Sequence, residues 1–242
     1  MPNATEPLTV VLVHGAFADA SSWNGVAELL LADGVRVVAP ANPLRGIAFD
    51  SAYLASVLAQ IPGPVLAVGH SYGGAVMSNA ATNAKNVVGL VYIAAFAPDE
   101  GEILGVRVGD SKDSVLNDAL VPLQYPTGSG KETATEFAIN PDKFHDAFAK
   151  DLPQTQTALM AATQRPVAEA AFSEANGKPA WKNLPCWTVV ATGDTAAGAD
   201  VIRSMAERAG SEITEVKGSH VIMISQPQAV TDVILKAVAA VG

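Results

Sequence analysis

The sequence predicts an α/β domain built on a doubly wound, mostly parallel sheet, and three observations lead there. Short apolar runs alternate with longer stretches of helical period along much of the chain. Most of the runs are apolar on both faces, as strands are when helices cover the two sides of a parallel sheet. The composition, 49% hydrophobic and 16% charged over 242 residues, can bury a large core. Glycine and proline punctuate the chain without clustering, so no linker divides it.

Taken in order, the strands are expected at "LTVVLV" (8–13), "VRVVAP" (35–40), "PVLAVG" (64–69), "VVGLVYIAAF" (87–96), "CWTVVATG" (186–193) and "EITEVKG" (212–218). Helices are expected near 22–33, 49–60, 72–84, 199–209 and 226–241. The alternation breaks after Phe96. Residues 98–185 show no convincing strand and read as proline-punctuated helical pieces, among them "ATEFAI", "PDKFHDAFAKDL" and "QTQTALMAATQ". The expectation is a core of residues 1–97 and 186–242 with a helical cap, 98–185, over the carboxyl edge of the sheet.

The net charge of −9, without a run of Lys or Arg, argues against nucleic acid and against an anionic membrane surface. The first apolar run spans only Leu8 to Val13, too short for a signal peptide or a spanning helix. Cys186 is the one cysteine, so no internal disulfide can form and a reducing, cytoplasmic setting is expected.

The chemistry is concentrated at strand ends. "Gly69-His70-Ser71-Tyr72-Gly73" leaves a strand and opens a helix, the setting in which a G-x-S-x-G turn forces serine to its tip. Serine is a weak nucleophile and needs a base. Of His14, His70, His145 and His220, only His220 follows in the order Ser…Asp…His, in the loop "KGSHVIMISQPQ". His145, on "KFHDAF", reads as an exposed helix residue. The carboxylate that orients the imidazole should end a strand between the two. Asp194 in "VVATGDTAAG" is preferred, and Asp99, after the strand that ends at Phe96, is the second candidate. Backbone N–H groups of Tyr72 and Ala16 (in "His14-Gly15-Ala16-Phe17") are placed to receive an oxyanion.

With these motifs in place, the chain resembles the serine α/β-hydrolases over nearly its whole length. More narrowly it is similar to the compact branch holding methylesterases, small carboxylesterases and hydroxynitrile lyases. The match lies in "VLVHGAF…SSW", "GHSYGG", "ATGDTA" and "GSHVIMISQP". The resemblance implies the α/β-hydrolase fold, no cofactor and no metal, with Ser71, Asp194 and His220 as triad and Ala16 and Tyr72 as oxyanion donors. It also marks departures. Lyases of the branch carry lysine after the catalytic histidine and commonly glutamate before the nucleophile, where this chain has Val221 and His70, so lyase activity is not expected. "Thr195-Ala196-Ala197-Gly198" lacks the apolar residue and proline that often follow the acid.

The resulting expectation is a cofactor-free hydrolase of small to medium neutral or aromatic carboxylic esters. Its substrate pocket would draw on His14, Phe17, His70, Phe144, Phe148 and Met160, with Phe137, Leu159 and Phe172 as further apolar candidates. The same triad would also serve perhydrolysis, lactone opening or C–C bond hydrolysis, and a hydrolase-like receptor is the rival without turnover.

Overall fold

The computed structural model describes residues 6–128 and 130–242. Its main sheet takes strands β1 (Thr9–Val13), β2 (Arg36–Val38), β3 (Val65–His70) and β4 (Val87–Ile93) from the first part of the chain. The helices between them are α1 (Asn24–Ala32), α2 (Ile47–Ala59) and α3 (Tyr72–Ala80). After residues 98–185 follow β8 (Cys186–Ala191), α9 (Ala199–Arg208), β9 (Glu212–Val216), the short α10 (Ile222–Ser225) and α11 (Pro227–Val241). The six strands pair in parallel in the order β2-β1-β3-β4-β8-β9. Five lie within the runs that predict them, and β3 runs one residue beyond its own, to His70.

Right-handed crossovers, applied to this order, put α1 on one face and α2, α3 and α9 on the other, and α11 packs against α1. The strand order reverses between β1 and β3, and α/β sheets open a crevice at the carboxyl ends of such strands. Both strands are anchored firmly. Val10, Val11, Leu12 and Val13 of β1 are buried, as are Val65, Leu66, Ala67 and Val68 of β3. At about 1.5–3 kcal/mol for each large apolar side chain, burial holds these strands against the fluctuations of the loops they carry.

Residues 98–185 correct the expectation of an all-helical insertion. They contain α4 (Leu104–Gly109), α5 (Leu116–Ala119), α6 (Pro141–Phe148), α7 (Gln154–Thr163) and α8 (Ala170–Ser173), but also a three-stranded antiparallel sheet. β5 (Leu120–Pro126) and β6 (Thr133–Ile139) form a hairpin, and β7 (Val167–Ala168) adds to β6. Pro122 and Pro126 hide β5 in the sequence, because proline cannot donate to a ladder. It is tolerated here because β5 is the sheet's edge. "ATEFAI" belongs to β6 and not to a helix. The hairpin is tied to the core through Arg45, whose Nη1 lies 2.6 Å from Glu136 Oε2.

α6 is the best-specified helix of the insertion. Asn140 caps it by accepting the Asp142 N–H at 3.0 Å, and Pro141 takes the first helical position. Phe144, Ala147 and Phe148 share one buried stripe. Among the described residues, no helix is long and apolar enough to cross a membrane.

Candidate active site

Ser71 sits between β3 and α3 with φ 52° and ψ −124°, a backbone state that costs a non-glycine residue on the order of 1–3 kcal/mol. Phe17 (φ 60°), in the loop after β1, and Ala94 (φ 45°), after β4, share the positive φ, so strain gathers at the carboxyl ends of adjacent strands. The β1 loop comes so close that a Cβ on Gly15 would lie 2.8 Å from Ser71 Cβ. Nothing larger than glycine fits there without moving the serine. The N–H groups of Ala16 and Tyr72 donate to no described residue, and Tyr72 begins α3, where the helix dipole favours negative charge.

His220 follows β9 in the loop before α10. Its Nδ1–H donates to Asp194 Oδ2 at 2.7 Å, with both side chains buried. That tautomer leaves the Nε2 lone pair free, as a base requires. Asp194 is itself held: its Oδ1 accepts the N–H groups of Ala196 at 2.9 Å and Ala197 at 3.0 Å. The proline-free loop after the acid thus supplies two backbone donors. Asp99, the second candidate, lies on the far side of the choice, in a partly exposed ion pair with Lys182. Ser71 Oγ and His220 Nε2 are not hydrogen-bonded to each other in the structure.

Two of the histidines expected to line a pocket do not. His14 is buried, its Nδ1–H donating to Gly15 O at 2.9 Å and its Nε2 accepting the Asn42 N–H at 2.9 Å. His70 is fully buried behind the serine. Its Nε2–H donates to His220 O at 2.9 Å, and its ring lies 4.6 Å from the His220 ring. Each braces a loop of the site from within. His145 reaches Thr157 Oγ1 at 3.2 Å and links α6 to α7.

The pocket aromatics divide in the same way. Phe148 packs on the His220 ring at 5.1 Å and edge-on against Phe17 at 6.1 Å, while Phe172 stacks on the other side of Phe17 at 6.4 Å. Phe144 is buried under Phe148 at 5.1 Å. Phe17 and Met160 also line an open cavity of about 360 Å³, together with Leu159, Ile224, Gln156 and Gln164.

A buried carboxylate escaped the sequence reading. Asp50, on the inner face of α2, accepts the Tyr72 hydroxyl at 2.8 Å and the Arg45 N–H at 3.1 Å. Burial lifts its carboxyl above the ordinary value, while the Arg45 N–H and the Tyr72 hydroxyl pull it back down. The signal for it was a lone acid in the otherwise apolar "IAFDSAYLASVLA".

Burial also lowers the His14 imidazole from 6.5 to about 4. The folded protein therefore binds fewer protons than the unfolded chain between those values. The stability is present in full above pH 6.5 and is lost as pH falls toward 4, by roughly 3 kcal/mol. Denaturant titrations at pH 7 and pH 4.5 should show this loss, and His14→Gln should flatten it.

The sequence profile described as "Alpha/beta hydrolase family" matches residues 10–233. The chain belongs to the alpha/beta hydrolase family. Among solved structures, this alpha/beta hydrolase is similar to polyneuridine aldehyde esterase, at 20% identity and a TM-score of 0.80 over 96% of this chain and 99% of that one. It is similar also to a pyrethroid hydrolase from Sphingobium faniae, at 20% identity and 0.77 over 96% and 98%. Tomato methylketone synthase I matches at 22% identity and 0.76 over 98% and 99%. At such identities these are likenesses of fold. No curated protein matches the chain.

Proposed function

We propose that this alpha/beta hydrolase cleaves carboxylic esters through an acyl-enzyme on Ser71. The observation that carries the reading is the buried 2.7 Å bond from His220 Nδ1–H to Asp194, with the His220 ring 4.6 Å from that of His70, the residue before the strained Ser71. In the reaction, Ser71 Oγ attacks the ester carbonyl and His220 Nε2 takes its proton. The oxyanion is received by the N–H groups of Ala16 and Tyr72. As the C–O bond breaks, His220 returns the proton to the leaving alcohol. Water then attacks the acyl-enzyme, again giving its proton to His220, and the acid leaves as Ser71 is restored.

The neighbours named as esterase and pyrethroid hydrolase support an ester substrate. Phe148 on the His220 ring, with Phe17 against it and Phe172 stacked on Phe17, favours an apolar or aromatic acyl or alcohol group.

Hydrolysis of p-nitrophenyl esters from acetate to octanoate tests this. Turnover should rise and then fall along the series as the acyl chain outgrows the aromatic wall, and a methyl benzoate should also be cleaved. A folded protein that turns over no ester would redirect attention to perhydrolysis, lactone opening, C–C bond hydrolysis or ligand binding without turnover.

A further inference from the structure

We infer that Asp151, at the end of α6's excursion, is a positioning residue for His220, acting through Ser219; the inference rests on the triad reading above. Asp151 Oδ2 accepts the Ser219 N–H at 2.9 Å, and Asp151 Oδ1 accepts the Ser219 hydroxyl. Ser219 immediately precedes His220 and is 2% exposed. The approach is close enough that a Cβ on Gly218 would lie 2.8 Å from Asp151 Oδ2. A side chain at 218 would therefore push the carboxylate away.

The same stretch of the insertion reaches His220 twice. Phe148 covers the imidazole ring at 5.1 Å, and three residues later Asp151 holds the backbone that leads into it. From the opposite side, His70 Nε2–H holds the His220 carbonyl at 2.9 Å. The backbone is thus held at Ser219 by the insertion and at the His220 carbonyl by the core.

The clamp adds to a backbone bond from the Gly193 N–H to the Gly218 carbonyl at 2.9 Å, on the N-terminal side of His220. α10 is a single turn of four residues, too short to fix a side chain by its own hydrogen bonds. An imidazole displaced by about 1 Å from its productive geometry can lose on the order of 10²-fold in rate. Burial pushes the Asp151 carboxyl up, but the Ser219 hydroxyl and N–H, together with the Ser225 hydroxyl and its own N–H, outweigh it and hold it below its ordinary value. It therefore accepts both bonds as a carboxylate at neutral pH, where such bonds are strongest. In this arrangement the insertion does more than shape a pocket. Its α6 end completes the support of the base, so the base is in register only when the insertion is seated.

The test uses the full chain with p-nitrophenyl butyrate. Asp151→Ala should lower kcat by up to about 10²-fold with KM within about twofold, because the base is displaced and the pocket is not. Asp151→Asn keeps an oxygen for the Ser219 N–H and should recover most of that loss. The far-downfield proton resonance of His220 Nδ1–H should be sharp in the wild type, broadened in Asp151→Ala and restored in Asp151→Asn. Unchanged kcat and resonance in Asp151→Ala, or a rise in KM alone, would overturn the assignment. If Asp151→Ala fails to fold, Ser219→Ala removes the hydroxyl leg alone; loss of kcat supports the clamp and full kcat refutes it. A wild type inert on every ester would break the hydrolase reading instead, and the resonance would still report on the clamp.

Discussion

Replacing Ser71 with alanine should reduce kcat for ester hydrolysis by a factor on the order of 10⁶, the loss seen where a triad acts as a unit. The expectation follows from the position of the side chain. Ser71 Oγ is the one nucleophilic atom held at the tip of the β3–α3 turn, next to two N–H groups that donate to nothing else among the described residues. The variant should fold. Ser71 Oγ makes no hydrogen bond in the structure, so alanine leaves no buried partner unsatisfied. Thermal unfolding of the two proteins should therefore superimpose while their progress curves separate completely. A folded alanine variant that keeps a tenth of wild-type kcat would remove Ser71 from the mechanism.

Asp194→Asn should cost about 10⁴ in kcat by fixing the wrong imidazole tautomer. The present geometry explains why. Asp194 Oδ1 is claimed by the N–H groups of Ala196 and Ala197, so in asparagine the oxygen will take that place. The amide nitrogen then faces His220 Nδ1 and donates to it, moving the ring proton to Nε2, where a base must have its lone pair. Asparagine is the informative replacement. Alanine would strip a buried imidazole of its partner at a cost of about 3–5 kcal/mol and confuse stability with catalysis. Asp99→Asn supplies the control. It dissolves a partly exposed ion pair with Lys182, worth about 0–1 kcal/mol, and should leave kcat unchanged. If the two outcomes were exchanged, with Asp99→Asn inactive and Asp194→Asn active, the acid would have to be reassigned.

Much of the fold was legible because it is written in local terms. A β-branched run apolar on both faces has few ways to bury itself other than as a central strand of a covered parallel sheet, and four of the six runs became the central strands β1, β3, β4 and β8, with the more exposed β2 and β9 at the edges. The insertion was harder. Its hairpin strands carry Pro122 and Pro126 on one side and exposed positions throughout β5, so neither periodicity nor propensity marks them. Their strand character is supplied by pairing with each other and with β7, which joins from beyond two helices.

The candidate site divides along the same line. Ser71, its strained turn and the order of residues around it are properties of short segments, and the sequence alone determined them. It preferred Asp194 and kept Asp99 as second candidate, since both follow apolar strands and the difference lies in which of them His220's loop meets across the sheet. It could not show that His14 and His70 are inward braces, that Asp50 sits buried under Tyr72, or that Asp151 grips Ser219. Each of those contacts joins residues far apart in the chain. Charge, tautomer and orientation at such places depend on burial and on partners that only the folded packing brings together. The motif could be read from one strand end, and its chemistry had to wait for the others.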